Sequence, residues 1–318
     1  MNSTPAGPSP LHFDRPVASN GYVWWYLDAL SDDGRHGLTL IAMLGCVFSP
    51  YYAHARRRGP TDPLQHCAMN VALYGATGRR WAMTERPAHR VQRSADHLSI
   101  GPSSLRWNGS SLDIEIDETT APLPRSLRGR IRVHPTDLAE RSFTLDAAGR
   151  HRWRPYAPRC RVELAFTNPD VSWQGDAYLD SNDGDAPLES DFLSWTWSRG
   201  SRGDRTTVLY DVERRGGDAL GLALDFDARG NVVTVEPPPT VSLSRTPWRM
   251  ARSTRSDAGF TPRVIDTLED GPFYARSVLA TRLGGELMTA VHESLSLTRF
   301  ESRWIQALLP VRMPRWTR

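Results

Sequence analysis

The chain has 318 residues, of which 39% are hydrophobic, a composition typical of about two globular domains and too apolar for a disordered protein. Its 39 basic and 36 acidic residues give a net charge of +3, which does not favour nucleic acid as a partner. The sequence contains no lysine, which excludes a Walker-type phosphate loop and a lysine Schiff base.

Cysteine usage and hydropathy predict a protein that is neither secreted nor integral to a membrane. The three cysteines form no CxxC pair, as expected in a reducing compartment, and the N-terminus shows no secretory leader. The longest apolar run, residues 38–48, has about 11 residues, whereas a membrane-spanning helix needs about 20. We therefore expect a cytoplasmic location.

The first half of the chain is predicted to form β-strands. Residues 1–17 are rich in proline and serine and are expected to be mobile. A first domain at 18–158 then contains short aromatic and β-branched segments, spaced by about 8–12 residues and separated by glycine turns. The predicted strands are 22–27, 38–44, 66–74, 80–84, 98–100, 105–107, 112–118, 129–134, 142–145 and 151–153.

The second half, residues 159–318, continues the same pattern. Gly284-Gly285 predicts a two-residue hairpin loop, and only residues 299–309 show the apolar spacing of a helix. Both halves therefore indicate an all-β antiparallel sandwich or barrel. The strands predicted here are 161–166, 175–179, 192–198, 206–213, 220–226, 232–236, 247–250, 273–283 and 286–298.

Two pairs of side chains are the main candidates for chemistry. His151 and Trp153 are two residues apart, as are Tyr178 and Asp180. Because residues i and i+2 of a strand project from the same face, each pair points one way. Together they would line a pocket with an acid, an imidazole and two aromatic rings. Alternatively, Tyr178 and Asp180 lead into a solvated turn, since residues 181–185 are strongly turn-forming.

Other patterns contribute less to the functional prediction. Asp28 shares a strand face with Trp24 and Tyr26, and it is a second candidate for a buried acid. The acidic stretch after Asp180 does not match a calcium loop, and the histidines and cysteines show no zinc spacing. GxSxG and GxGxxG motifs are absent, and paired carboxylates elsewhere are interpreted as surface charge rather than a glycosidase site. We therefore expect no metal and no cofactor.

Long segments of the chain resemble the carotenoid 1,2-hydratase (hydroxyneurosporene synthase) family. They include GYVWWYLDALSDDGRHGLTLIAMLGCVFSPYYA, DPLQHCAMNVALYG, RHRWRPYAPRCRVE, AYLDSNDGDAPL, TPWRMARSTRSDAG, TLEDGPFYARS and AVHESLSLTRFESRWIQALLPVRMPR. The resemblance implies an all-β fold of two lipocalin-like antiparallel barrels. It also implies cofactor-independent addition of water to the terminal 1,2 double bond of acyclic carotenoids, such as neurosporene and lycopene, in photosynthetic bacteria. The family's HxW and YxD site positions fall on His151, Trp153, Tyr178 and Asp180.

For such a reaction we expect Asp180, kept protonated by its apolar surroundings, to be the general acid. Trp153 and Tyr178 would face the carbocation, and His151 would orient the attacking water and accept its proton. Asn182 is a further candidate for holding this water, because it continues the strand face of Asp180. Trp24 and Tyr26 are expected to bind the substrate. The alternatives are a lipocalin-like carrier that binds a polyene unchanged, and a cyclase or isomerase on the same scaffold.

A polyene substrate dissolves in bilayers, so we expect peripheral contact with the inner or photosynthetic membrane. Trp304, Trp316 or the aromatic residues of 48–52, flanked by arginines at 56–58, are candidates for a membrane-facing lip. A further arginine cluster, at positions 312, 315 and 318, is a candidate for contact with anionic lipid. The alternative is that these aromatic residues pack inside the barrels and the arginines are merely solvated.

Overall fold

The computed structural model describes residues 10–75, 79–136, 138–139, 141–227 and 229–316. The protein is mostly β, with 57% strand and 10% helix. The described residues divide into two compact units, the first within the ranges 1–144, 149–187 and 308–318 and the second within 145–148 and 188–307.

Most strands of the first unit form one antiparallel sheet, ordered β4-β3-β2-β1-β12-β11-β9-β8-β7-β6-β5, with β10 paired to β11. The elements are β1 (Tyr22–Ser31), β2 (His36–Leu44), α1 (Pro50–Arg56), β3 (Cys67–Gly75), β4 (Arg80–Arg86), β5 (Val91–Arg93), β6 (His97–Ile100), β7 (Ser103–Trp107), β8 (Leu112–Thr119), β9 (Ser126–Pro135), β10 (Phe143–Thr144), β11 (His151–Asn168) and β12 (Asp170–Gly184).

This sheet is a nearly closed barrel, in which β4 lies against β8. A buried ion pair joins the two strands, because Arg86 donates from Nη2 to Oε2 of Glu118 over 2.7 Å. The Ser103 hydroxyl donates to the other oxygen of Glu118, also over 2.7 Å. The pair thus links strands that the main ladder does not pair.

The second unit has a seven-stranded antiparallel sheet, ordered β16-β15-β14-β13-β21-β20-β19, and a two-stranded sheet of β17 and β18. Gly284 and Gly285 connect β20 to β21 with positive φ angles of 61° and 83°, which confirms the predicted hairpin loop. The elements are α2 (Leu188–Asp191), β13 (Phe192–Arg202), β14 (Arg205–Arg214), β15 (Ala219–Phe226), β16 (Val232–Val235), β17 (Thr240–Leu243), β18 (Arg252–Arg255), β19 (Arg263–Asp270), β20 (Tyr274–Leu283), β21 (Glu286–Ser296), α3 (Leu297–Phe300) and α4 (Arg303–Arg312), which continues into residues of the first unit.

The boundary between the two units is not at residues 158–159, where the sequence predicts it. That position lies inside β11, which runs through 18 residues. Because β11 pairs with β12 and β12 pairs with β1, both long strands belong to the first unit. The change of unit after β12 comes instead at residues 187–188.

The expectation of a mobile segment at 1–17 is wrong for its second part. Leu11 and Phe13 are fully buried in the core of the first unit. The Phe13 ring packs edge-on against Trp25 at a centroid distance of 4.9 Å, and the Trp25 indole donates to the Leu11 carbonyl over 2.9 Å. Burying a side chain such as Phe13 contributes about 1.5–3 kcal/mol towards holding this segment in place. Residues 1–9 lie outside the described residues.

The helices also differ from the prediction. The expected helix at 299–309 is two helices, α3 and α4, and α1 was not predicted at all. α1 has a recognisable start, since Ser49 accepts a hydrogen bond from the Tyr52 backbone N–H and Pro50 occupies the first turn. Among the described residues, no helix has the length and apolarity required to cross a bilayer.

Candidate active site

The predicted site residues lie on one face of three neighbouring strands of the first unit. β12 is paired with β1 on one side and with β11 on the other. Tyr26 of β1 is opposite Asp180, and Asn182 lies between Trp24 of β1 and Trp153 of β11. The residues that alternate with them on β1 from position 23 to 29, and Ala177 and Leu179 on β12, belong to the core of this unit. The site therefore occupies the sheet face opposite the barrel core, although the residues on it are buried as well.

Asp180 is the centre of this face and is only 4% exposed. Its Oδ2 atom accepts two hydrogen bonds, one from Nε1 of Trp153 and one from the hydroxyl of Tyr178, both over 2.8 Å. Trp153 and Tyr178 are fully buried, and the Oδ1 atom of Asp180 is buried too. Because both donors use Oδ2, an acidic proton on this carboxyl group belongs on Oδ1.

The alternative of a solvated turn after Asp180 is not observed. β12 continues to Gly184, and every residue from Tyr178 to Gly184 is buried. On the opposite face of the strand, three arginines surround Asp183. Arg15 donates to it over 3.2 Å, Arg152 donates over 2.6 Å, and Arg154 contacts the same carboxylate. Charge compensation by these arginines allows a turn-forming sequence to stay buried and extended.

His151 makes its own contact at the end of this face. Its Nδ1 atom is 3.0 Å from the hydroxyl of Tyr22, and Gly184 lies opposite both residues on the strand between them. Gly184 is four residues from Asp180, which corresponds to about 13 Å along the strand. The structure thus brings Trp153 and Tyr178 into direct contact with Asp180, whereas His151 is paired with Tyr22.

Tyr22, which also belongs to this face, was not predicted from the sequence. It is fully buried, and its ring stacks on Trp24 at a centroid distance of 4.9 Å. Strand alternation would have identified it. Tyr22, Trp24 and Tyr26 are spaced by two residues, so all three side chains project from the same face of β1.

Aromatic rings and a second carboxyl group extend the face around Asp180. Tyr26 contacts Tyr178 edge-on at a centroid distance of 6.2 Å. Asp28, the second candidate for a buried acid, lies opposite Tyr178 and is fully buried. Asp28 and Asp180 are therefore diagonal neighbours across two strands. The arrangement can present an acidic proton and several π faces to an apolar ligand.

A further set of titratable side chains surrounds Glu85 on β4. His66 Nδ1 is 2.9 Å from Oε1 of Glu85, the Ser49 hydroxyl donates to Oε2, and Arg315 also contacts Oε1. The Glu85 backbone N–H donates to the Pro314 carbonyl over 2.9 Å. These contacts fasten α1 and residues 314–316 to β4, and we assign them a structural role. In the part of the chain that the structure describes, no group of three or more His, Cys, Asp or Glu side chains is arranged to hold a metal ion.

The fold and the site define a class: a lipocalin-like β protein with a buried carboxyl group enclosed by aromatic side chains. The structure is similar to that of a putative AttH from Nitrosomonas europaea, with a TM-score of 0.60 and 12% identity, over 92% of this chain and 98% of that one. It is also similar to kievitone hydratase from Nectria haematococca, with a TM-score of 0.59 and 9% identity, over 92% and 94% of the two chains. At such identities the likeness shows the fold alone.

Sequence relatives identify the family. A family model described as carotenoid hydratase CrtC matches residues 40–318. Acyclic carotenoid 1,2-hydratase from Thiocapsa roseopersicina is 55% identical over 98% of this chain and 78% of its own length. The enzymes of that name from Rubrivivax gelatinosus and Cereibacter sphaeroides are 49% and 39% identical, over 95% and 87% of this chain and 75% and 98% of their own lengths. The chain belongs to the carotenoid hydratase family, whose members are hydro-lyases. This confirms the resemblance noted in its sequence.

Proposed function

We propose that this protein adds water to the terminal 1,2 double bond of an acyclic carotenoid, such as neurosporene, lycopene or their derivatives, and gives a 1-hydroxy carotenoid. Membership of the hydratase family supports the reaction class. The observation that carries the mechanism is the burial of Asp180 between its two hydrogen-bond donors, Trp153 and Tyr178. Asp180 is the general acid.

The reaction begins with proton transfer from Oδ1 of Asp180 to C2 of the alkene. The π electrons form the new C2–H bond, and a tertiary cation remains at C1, the more substituted carbon. The oxygen of water then forms a bond to C1, and the resulting oxonium gives a proton to the imidazole of His151. Returning one proton to Asp180 completes the cycle, so that the net change is the addition of one water.

Burial and hydrogen bonding have complementary effects on such an acid. An aspartic acid in water has a pKa of about 3.9 and is ionised at neutral pH, whereas burial favours the uncharged form of a carboxyl group. Once the proton has left, the N–H of Trp153 and the O–H of Tyr178 stabilise the carboxylate that forms. Donors placed where charge develops lower the barrier without reorganisation.

The cation needs stabilisation that does not react with it. The π faces of Trp153, Tyr178 and the nearby Tyr26 meet this need, because an aromatic ring contributes about 2 kcal/mol to a desolvated cation, or about thirtyfold in rate. Trp24 extends the same wall and contributes to substrate binding. Asn182 lies on the strand face between Asp180 and the position opposite His151, where it and His151 hold the attacking water.

The decisive experiment compares Asp180→Asn with Asp28→Asn, the same substitution at a neighbouring buried carboxyl group. Purified, metal-stripped protein is incubated with detergent-solubilised lycopene, and the product is analysed by mass spectrometry for the gain of one water. Loss of a general acid typically costs about 10²–10⁴-fold, and we expect this loss for Asp180→Asn, with a much smaller effect for Asp28→Asn.

Near-normal hydration by a folded Asp180→Asn variant would contradict the assignment of Asp180 as the general acid. A strong effect of Asp28→Asn alone would move the acid to Asp28. Binding of lycopene without any product would identify a carrier, and a product of unchanged mass would identify an isomerase or cyclase.

A further inference from the structure

Two tryptophans of the second unit form an exposed stacked pair. Trp248 is 44% exposed and Trp304 is 50% exposed. Their rings stack with a centroid distance of 6.3 Å and an interplanar angle of 21°. Tryptophan side chains are mostly buried on average, so two half-exposed rings lying side by side indicate a surface that contacts an apolar partner.

The position of Trp248 is fixed by the turn that carries it. Its backbone N–H donates to Asp270 over 3.1 Å, and its carbonyl accepts from Arg299 over 3.0 Å. The backbone N–H of Arg249 donates to the Thr246 carbonyl over 2.7 Å and closes the turn. The indole is therefore held at the surface by a rigid tip, and its exposure is a property of the fold.

Several arginines lie close to the two tryptophans along the chain. Arg245 and Arg249 lie on the same turn as Trp248 and are exposed, and Arg303 directly precedes Trp304 and is exposed as well. Arg299 is half-buried and contacts the Trp248 carbonyl. Asp270, a carboxylate beside this turn, accepts the Trp248 N–H, and the exposed Glu301 lies two residues before Arg303. The surface thus combines an aromatic centre with a cationic rim.

The apolar face continues along α4. Leu308 and Val311 follow Trp304 by four and seven residues, which places them on the same side of the helix, and both are exposed. Ile305, on the other side of the helix, is fully buried. A helix that exposes an apolar face flanked by arginines is typical of a segment lying in the plane of a membrane interface.

We propose that Trp248, Trp304 and the surrounding arginines, here called the Trp248 surface, dock this protein on an anionic lipid bilayer. The inference rests on the proposed function, because a carotenoid substrate is dissolved in bilayers and has to be taken from one. Tryptophan prefers the headgroup region, and each arginine near an anionic surface adds attraction. Both chemical features of the Trp248 surface match that partner.

The surface differs in part from the lip predicted from sequence. Trp304 belongs to it, but the aromatic segment at 48–52 does not form an exposed lip, because Tyr52 is fully buried and Phe48 and Tyr51 are half-buried. The Tyr52 ring stacks on His66 and is covered by the guanidinium of Arg56. Trp316 is 45% exposed and lies 5.8 Å from the guanidinium of Arg86, so that it provides a matched control.

The test measures co-sedimentation of the full chain with vesicles of phosphatidylcholine alone and of phosphatidylcholine with phosphatidylglycerol. We expect binding to the anionic vesicles and weakening by salt. Trp248→Ala combined with Trp304→Ala should weaken binding by about tenfold or more, because both half-exposed rings leave the interface. Trp316→Ala should bind as the unmodified protein does.

A second pair of variants tests the charge. The double variant Arg245→Gln with Arg249→Gln should bind anionic vesicles more weakly, with affinity falling about fivefold for each arginine removed. Arg130→Gln is the control, since this arginine is exposed and lies in the other unit, on β9. Equal losses for Arg130→Gln and the double variant would overturn the specific role of the Trp248 surface.

Parallel activity assays separate this proposal from the proposed function. The double tryptophan variant should hydrate detergent-solubilised lycopene normally but act slowly on lycopene embedded in anionic vesicles. Failure of the unmodified protein to bind vesicles, with hydration in detergent intact, would overturn the docking surface and leave the function standing. Vesicle binding without hydration in detergent would overturn the proposed function and leave the docking surface standing. A change from dimer to monomer in the double variant, without vesicle binding, would assign the surface to a second copy and overturn the proposal.

Discussion

The hydroxyl of Tyr22 and Nδ1 of His151 are 3.0 Å apart, and they meet across the strand that carries Asp180. The rings lie at a centroid distance of 5.8 Å with an interplanar angle of 25°. Both residues are buried, so this bond fixes the orientation of the His151 imidazole. If His151 orients the attacking water, as proposed, Tyr22 determines how well it does so.

Replacement of Tyr22 by phenylalanine removes only the hydroxyl. A bond of this kind contributes about 1 kcal/mol, and we expect Tyr22→Phe to lower kcat by about fivefold and to reduce stability by a similar free energy. Tyr156→Phe is the control, because Tyr156 is equally buried and its hydroxyl accepts from Arg15. Steady-state kinetics should show a loss of kcat only for Tyr22→Phe, and equal kcat losses in the two variants would contradict a role for Tyr22 in positioning His151.

Gly184 allows Tyr22 and His151 to meet. A Cβ atom at this position would lie 2.5 Å from Cε1 of Tyr22 and 2.6 Å from Nδ1 of His151, closer than any real contact. We therefore expect Gly184→Ala to destabilise the protein by about 1–3 kcal/mol and to lower kcat more than Tyr22→Phe does. Gly216→Ala is the control, since the nearest atom to its Cβ would be 3.6 Å away. Denaturant unfolding and kinetics on both variants check this, and an unaffected Gly184→Ala would refute it.

The hydrogen bond from Trp153 to Asp180 should influence the pH dependence of the reaction. Trp153→Phe keeps an aromatic ring and removes the N–H donor to Oδ2. This donor stabilises the carboxylate, so its loss raises the pKa of the Asp180 carboxyl group relative to that of the unmodified protein. Since the protonated form is active, activity is lost as pH rises through this pKa, and in the variant the loss should occur at higher pH. We also expect kcat to fall by about tenfold or more.

The measurement for Trp153→Phe is the pH profile of kcat. Trp107→Phe provides the same substitution at a buried tryptophan in the core of this unit. Its profile should coincide with that of the unmodified protein. A Trp153→Phe profile that moves to lower pH would be inconsistent with Asp180 as the general acid.

His292 in the second unit predicts a loss of stability in acid. Burial, together with the positive charge of Arg252, lowers the pKa of His292 from 6.5 to about 3. The unfolded chain therefore binds a proton at a pH where the folded protein does not. The full contribution to stability is present above pH 6.5 and is lost as pH falls towards 3. At pH 5 the loss is about 2 kcal/mol.

Denaturant unfolding of the full chain between pH 7 and pH 4 measures this effect. His292→Asn should flatten the dependence on pH, whereas replacement of the exposed His89 by asparagine should leave it unchanged. An equally steep dependence in His292→Asn would exclude His292 as its origin.

Much of the local geometry of the site follows from strand alternation. His151 and Trp153 share one face of β11, Tyr178, Asp180 and Asn182 share one face of β12, and pairing of the two strands places both groups on the same face of the sheet. The Gly284-Gly285 turn was also predictable, since only glycine adopts two successive positive φ angles easily. The helix at 50–56 was missed because seven residues give too short an apolar pattern, although its Ser49-Pro50 start was visible.

By itself, the sequence determined the β class of the protein, its family and the pairs of side chains that point in one direction. These depend on residues close together in the chain and on long matching segments. Only the tertiary structure decided that β11 and β12 pair so that the Trp153 indole reaches Asp180, 27 residues away. It also decided that a turn-forming sequence stays extended, because Asp183 is held by arginines on the opposite face of the strand. Register and burial are set by contacts between residues far apart in the chain, and local propensity does not predict such contacts.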